Sequence, residues 1–245
     1  MTTTLPSQRA KDPRGGRVDQ ALSAKETPVT SPVRAAILIG APVAFSGLLW
    51  LHPMVGDWEG LRDATTRFQA VHVGMVLTFC LIAVGMHGLL DGLRGRAATV
   101  ARTALIPFAA FYLPYLAFEG FALGALGQEL NGLPAAERDA VAPGLVETMA
   151  TNPIMGEPGI FWAVGSTAWI VVIVATVLAF RRAGAPLRLQ VLLGASALIA
   201  GHTPPLGPIG LLCFAAASWI VLAGRRAPAA GVVTAPASSA MLSTS

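Results

Sequence analysis

The feature that most constrains this chain is a series of long apolar segments separated by short polar ones. Several of these segments reach or approach the roughly 20 residues that an α-helix needs to cross about 30 Å of hydrocarbon. Of the 245 residues, 54% are apolar and only 12% are charged, and the apolar segments lack the polar face that a surface helix of a soluble protein carries. The sequence therefore predicts an all-α fold, a polytopic helical bundle embedded in a membrane.

About six membrane-spanning helices are predicted, within a transmembrane domain that covers residues 34–226. The third span is interrupted by Pro107 and Pro114. The turn GHTPPLGP separates the last two spans, because proline lacks an amide donor and clashes with the preceding turn. The predicted spans are residues 35–52, 70–90, 101–127, 160–180, 187–201 and 206–224.

Polar segments are expected at both ends of the chain and between two of the spans. Residues 1–33 and residues 227–245 have no apolar period, and we expect disordered cytoplasmic arms there. Residues 128–159 form an extended outer loop. Its segment PAAERDAVAPGLVETM has a mild amphipathic pattern that is compatible with a short interfacial helix.

The basic residues predict the orientation of the bundle. Fourteen of the seventeen Lys and Arg residues fall on one side of the six predicted spans, and the positive-inside rule makes that side cytoplasmic. Both termini are then cytoplasmic, in a multi-pass protein of the plasma membrane. The net charge of +4 is explained by this topology, so no nucleic-acid partner is expected, and the lipid bilayer is the expected surrounding partner.

Few motifs point to a defined chemistry. Cys80 and Cys213 both lie inside apolar spans, without a CxxC or Cys/His spacing that would predict a metal site. The chain contains no Walker sequence, no GxSxG and no GxGxxG. These patterns predict neither an ATP-driven protein nor a soluble enzyme, and they identify no cofactor.

Three of the four histidines are predicted at a similar depth on the outer side. His52 closes the first span, His72 lies one turn inside the second, and His202 lies in the turn before the last. Glu119 is the only acidic residue well inside a span, about 12 Å below its outer end. An ionisable group costs about 2.5–3.5 kcal/mol in hydrocarbon, so Glu119 should face protein, be protonated or have a partner.

We expect Glu119 to share an outward-facing cavity with His72, because the second and third spans are antiparallel neighbours joined by a short loop. His52 or His202 would lie at the mouth of this polar pocket. The alternative interpretation is that His52 and His202 are interface residues, each beside a proline or turn that ends a helix.

These residues leave three hypotheses for function. The first is a non-enzymatic membrane protein that binds a small or lipidic ligand in the polar pocket. The second is a membrane-embedded enzyme acting on a lipid or isoprenoid, with Glu119 as general acid. The third is a haem or metal protein that uses the imidazoles and the carboxylate, although no recognised ligand spacing predicts a metal.

Several short motifs of the chain occur together in a known group of proteins. They are the LHP that ends the first span, His72, the segment FEGFALGALG, and the GH turn before the last span. In this arrangement, over about residues 35–224, the chain resembles small multi-pass membrane proteins of actinobacteria, a family of unknown function. The resemblance implies a helical membrane fold with a recurring polar set, and it implies no activity.

Overall fold

The structure, a computed structural model, describes residues 32–55, 57–201 and 203–226, and all of its regular structure is helical. The predicted all-α bundle is thus confirmed for this part of the chain. The predicted disordered arms lie almost wholly outside the described residues, although helix begins at Pro32, inside the predicted N-terminal arm. In chain order the helices are α1 (Pro32–Leu51), α2 (Trp58–Leu89), α3 (Arg96–Asn131), α4 (Ala135–Ala150), α5 (Ile160–Arg182), α6 (Leu187–Ala200) and α7 (Leu206–Arg226).

Five of these helices, α1, α2, α3, α5 and α7, are long and apolar enough to cross a membrane. The predicted fifth span, α6, is shorter. It consists of nine α-helical residues followed by a five-residue 3₁₀ turn, a length of about 23 Å against about 30 Å of hydrocarbon. Large apolar side chains are exposed around the bundle, as expected for a surface that faces lipid: Leu77, Val84, Ile106, Val174 and Trp219.

The helix boundaries differ from the predicted ones where charged residues continue a helix beyond its apolar part. α2 begins twelve residues before the predicted span, because Asp57 caps its first turn by accepting a hydrogen bond from the Gly60 amide at 2.9 Å. α3 remains helical through Pro107 and Pro114, although an interruption was predicted. The helix accommodates these prolines with two π-helical stretches, at Phe108–Tyr112 and Phe118–Leu123.

One end of the bundle is basic. Arg34, in the first turn of α1, contacts Asp91 just after α2, and Arg102 of α3 donates to the Leu90 carbonyl. The last turn of α5 and the first turn of α6 meet at the same end, where Leu93 and Val221 line one groove with them. We call this the basic end; its described basic residues are Arg34, Arg94, Arg96, Arg102, Arg181, Arg182 and Arg188.

The opposite end extends beyond α1 and is acidic. The first three turns of α2 and the last turns of α3 pack there against α4, the helix of the predicted outer loop. Trp58, Leu61 and Leu130 are buried in this second core, together with Ala142 and Val146 of α4. We call it the acidic end; its carboxylates are Asp57, Glu59, Asp63, Glu129, Glu137, Asp139, Glu147 and Glu157.

Candidate functional site between α2 and α3

Glycines of α3 bring its backbone unusually close to α2 below the acidic end. A Cβ atom added at Gly120 would lie 2.0 Å from the Cβ of His72, and one added at Gly124 would lie 3.1 Å from the Cβ of Gln69. One turn farther along, Gly127 lies against Thr65. Small residues at this spacing allow two membrane helices to approach closely. The tight packing of α2 and α3 therefore fixes the positions of the side chains in this site.

The imidazole of His72 is fully buried against α3, with 0% of its side chain exposed. Its Nδ1 lies 2.9 Å from the Phe68 carbonyl oxygen, one turn earlier in α2. A carbonyl oxygen can only accept, so Nδ1 carries the hydrogen and donates it. In the neutral ring, Nε2 is then a hydrogen-bond acceptor, and within the described residues it has no hydrogen-bond partner.

Glu119 lies opposite this free nitrogen. Its Oε2 is 3.7 Å from His72 Nε2, an ion-pair distance that is longer than a hydrogen bond, and 20% of its side chain is exposed. Glu119 is the second residue of the π-helical stretch Phe118–Leu123. Such stretches inside α-helices occur frequently at functional sites. The structure thus brings together the two residues that were predicted to share one cavity, although Glu119 was expected about one and a half turns deeper than His72.

A tyrosine connects this pair to the surface. The hydroxyl of Tyr115, one turn before Glu119 in α3, donates to Glu157 Oε2 at 3.1 Å and also interacts with Glu119. Tyr115 is fully buried, whereas Glu157 is exposed. Tyr112 lies close enough for both carboxylates to influence it electrostatically. The groups form a polar path from exposed Glu157, through Tyr115, to Glu119 and buried His72.

A compact turn between α4 and α5 holds Glu157 in place. The Glu157 amide donates to the Ala150 carbonyl at 3.0 Å, and the Asn152 side chain accepts from the amides of Ile154 and Met155. A Cβ at Gly156 would lie 2.3 Å from the Ala150 oxygen, so the turn closes only with glycine at this position. The predicted outer loop therefore contributes a residue to the site.

His52, at the end of α1, lies beside the same site. Its ring centroid is 4.9 Å from that of His72 and 5.6 Å from that of Phe68. Three of the four predicted pocket residues, His52, His72 and Glu119, are therefore neighbours. The fourth, His202, lies outside the described residues.

The chemistry of this arrangement is mainly that of hydrogen-bond acceptance. The carboxylates of Glu119 and Glu157 only accept when ionised, and His72 presents an acceptor nitrogen when its ring is neutral. Within residues 32–55, 57–201 and 203–226, no three His, Cys, Asp or Glu side chains are grouped so that they could hold a metal ion. The haem or metal hypothesis gains no support from this part of the chain.

Tyr115 and Glu157 were not among the residues predicted from the sequence. A signal for Tyr115 was present, because both tyrosines of the chain, Tyr112 and Tyr115, lie within two turns of Glu119 on the same helix. No comparable signal identified Glu157, one of several acidic residues in a long loop.

No protein-family model, no curated protein and no solved structure matches this chain. The resemblance to the actinobacterial membrane proteins therefore stays a prediction.

Proposed function

We propose that this chain is a non-enzymatic multi-pass membrane protein that binds a small ligand carrying a protonated amine, at the site of His72 and Glu119. The observation that carries the proposal is that two hydrogen-bond acceptors, one of them without a donor, face each other between α2 and α3. His72 Nε2 is buried without a hydrogen-bond partner among the described residues, and the nearest carboxylate oxygen, from Glu119, lies 3.7 Å away. A buried acceptor without a hydrogen-bond donor costs about 1–3 kcal/mol, and a donor group of a bound ligand would recover this free energy.

Charge complementarity supports a cationic ligand. Glu119 and Glu157 bring two carboxylates to the buried hydroxyl of Tyr115, and no arginine or lysine forms an ion pair with either carboxylate within the described residues. The ring of Phe68 lies 4.2 Å from that of His72 between centroids, and Tyr115 interacts with Glu119; such rings favour ammonium groups by cation–π attraction. A ligand with an ammonium group on an apolar tail would therefore be attracted both by the carboxylates and by the aromatic rings.

Binding of three matched probes to the purified protein in nanodiscs tests this proposal by calorimetry. Butylammonium carries charge and N–H donors, butyltrimethylammonium carries charge without donors, and butyrate carries the opposite charge. We expect butylammonium to bind best and butyrate not to bind. Glu119→Gln should weaken butylammonium binding about tenfold or more, which corresponds to about 1.4 kcal/mol.

Glu129→Gln is the matched control, because Glu129 is an exposed carboxylate of the acidic end in the same helix, α3. Equal loss in both variants, or equal binding of the three probes, would contradict the proposal. The membrane-enzyme hypothesis, with Glu119 as general acid on a lipid or isoprenoid, differs in its outcome. Chemical conversion of a lipid or isoprenoid probe that Glu119→Gln abolishes would favour the enzyme over the binding protein.

We also propose that α6 crosses the membrane as a sixth, short span, that the basic end is cytoplasmic and that both termini lie there, in the plasma membrane. The supporting observation is the arrangement of α5, α6 and α7. Phe180 near the end of α5, Leu189 near the start of α6 and Val221 near the end of α7 line one groove at the basic end. α5 and α7 therefore run in the same direction, with α6 returning between them.

Topology reporters test this orientation. A reporter fused after residue 226 should behave as cytoplasmic, and one inserted near Glu137 in α4 should behave as extracytoplasmic. In the six-span topology three helices, α5, α6 and α7, cross the membrane between the two reporters. Signals from the same side at both positions would require an even number of crossings and would overturn this topology. Opposite signals with reversed sides would overturn the orientation alone.

A further inference from the structure

A groove at the basic end lies far from the histidine site and has a different character. It has a volume of about 640 Å³ and is formed by α5, α6 and α7 with Leu93 of the α2–α3 connection. Its lining is mainly apolar, with Phe180, Leu189 and Val221 at its walls. Trp219, which is 57% exposed, also lines it. Apolar walls beside an exposed tryptophan are typical of the level at which lipid headgroups meet acyl chains.

One arginine lines the groove and two more lie in the last turn of α5 next to it. Arg188 lines it directly, and Arg181 and Arg182 occupy the last turn of the adjacent α5. All three are exposed, and in the described parts of the chain none of them forms an ion pair. Asp91 is the acidic residue of this end within those parts, and its carboxylate contacts Arg34. The groove is thus apolar inside and strongly positive at its edge.

We propose that this groove is a binding site for an acidic phospholipid, with the headgroup phosphate on Arg188, Arg181 and Arg182 and an acyl chain along Trp219. The planar guanidinium group of arginine matches the phosphate oxygens with two parallel hydrogen bonds. Basic pockets between membrane helices commonly bind acidic headgroups. The apolar walls contact the acyl chain, which distinguishes a phospholipid from free phosphate. This inference does not depend on the proposed ligand of His72 and Glu119.

The experiment uses quenching of Trp219 fluorescence by brominated acyl chains. The full-length protein is reconstituted in phosphatidylcholine vesicles that contain a small fraction of brominated phosphatidylglycerol, or the same fraction of brominated phosphatidylcholine. The Trp219→Phe variant identifies the part of the quenching that comes from Trp219. We expect this part to be several-fold larger with phosphatidylglycerol than with phosphatidylcholine.

Arginine variants then separate a site from a general effect of positive charge. Arg188→Gln and the double variant R181Q/R182Q should each remove most of the several-fold preference for phosphatidylglycerol, because each arginine contributes about 1 kcal/mol to the binding of an acidic lipid. Arg96→Gln is the matched control, because Arg96 is exposed at the basic end, begins α3 and does not line the groove. This variant should keep the preference.

Three results would overturn the proposal. Equal quenching by the two lipids would show that the groove does not select acidic headgroups. Equal loss in Arg96→Gln and Arg188→Gln would show a diffuse field rather than a site. Quenching that becomes selective only after removal of residues 227–245 would show that the C-terminal segment of the chain, rather than lipid, occupies the groove.

Discussion

The two ends of the bundle use charged side chains in different ways. At the basic end, Arg102 donates to the carbonyl oxygens of Leu90 and Leu93, and Arg34 donates to the Gly88 carbonyl. These arginines add hydrogen bonds to carbonyl groups at the end of α2 and in the connection that follows it, and their charge complements the helix dipole. At the acidic end, by contrast, His72, Glu119 and Tyr115 point at one another between the helices, at fully or largely buried positions.

Charged side chains at the basic end therefore stabilise helix termini, whereas polar side chains inside the acidic half form a site. Capping groups remain partly in water and cost little to maintain. Polar groups between membrane helices must be satisfied by protein or ligand, because lipid offers no hydrogen bonds. Substitutions should therefore have larger and more coupled effects in the acidic half than at the basic end.

The largest effect is expected at the glycine contact that holds the site together. Gly120→Ala places a methyl group 2.0 Å from the Cβ of His72, and neither backbone can yield easily. We expect the free energy of unfolding to fall by about 3 kcal/mol, at the upper end of overpacking penalties. Denaturation of the purified protein in mixed micelles measures this loss.

Two further glycines provide graded controls. Gly124→Ala places its methyl group at 3.1 Å from Gln69 and should cost less, about 1 kcal/mol. Gly47→Ala in α1 meets nothing within 4 Å and should be neutral or stabilising, because alanine favours helix. Equal effects at the three positions would mean that α2 and α3 are not in close contact at His72.

The second prediction concerns coupling between His72 and Glu119. Because the two side chains lie 3.7 Å apart with His72 fully buried, their substitutions should not be additive. In a double-mutant cycle with His72→Gln and Glu119→Gln, we expect a coupling energy of about 1–2 kcal/mol in the free energy of unfolding. A matched cycle that pairs His72→Gln with Glu129→Gln should give almost none. Equal coupling in the two cycles would remove the distinction between site and surface carboxylates.

These two predictions also indicate how much the sequence could reveal. The rise of an α-helix and the antiparallel order of neighbouring spans were enough to predict that His72 and Glu119 share one cavity, but they placed Glu119 about one and a half turns too deep. Close approach of the helices was readable from the glycine spacing in FEGFALGALG. Both inferences use periodic geometry, which a helix imposes on its sequence.

What could not be predicted depends on loops and on local departures from regular helix. Glu157 reaches Tyr115 because the turn after α4 folds back on itself, and no periodic pattern encodes that path. The start of α2 was predicted too late, because hydropathy detects the apolar part of a helix rather than its capped, charged beginning at Asp57. The short α6 was predicted as a span from composition alone, since its turn at GHTPPLGP marks its end but not its length.

The third prediction tests the connection of the site to the surface. Tyr115→Phe removes the hydroxyl that donates to Glu157, and we expect a loss of about 1 kcal/mol in the free energy of unfolding. Glu157→Gln should show a smaller loss, and the two substitutions together should cost less than the sum of the single effects. Glu147→Gln, at an exposed carboxylate of α4, is the control and should be neutral. Additive effects of Tyr115→Phe and Glu157→Gln would contradict the connection.

The smallest effect is expected at the basic end, for the ion pair between Arg34 and Asp91. Its atoms are 3.4 Å apart, but 28% of the arginine side chain and 55% of the aspartate side chain are exposed, so water and salt screen the attraction. Asp91→Asn should lower the free energy of unfolding by less than about 1 kcal/mol at low salt, and by nearly nothing in 1 M salt. The coupling of His72 with Glu119 should persist in 1 M salt, because His72 is fully buried and salt acts much less on buried groups. The two ends should thus differ both in the size of the change in the free energy of unfolding and in its dependence on salt. Measurements on both sets of variants at two salt concentrations test this difference. An effect of Asp91→Asn that is large and independent of salt would mean that this carboxylate, too, belongs to a buried network.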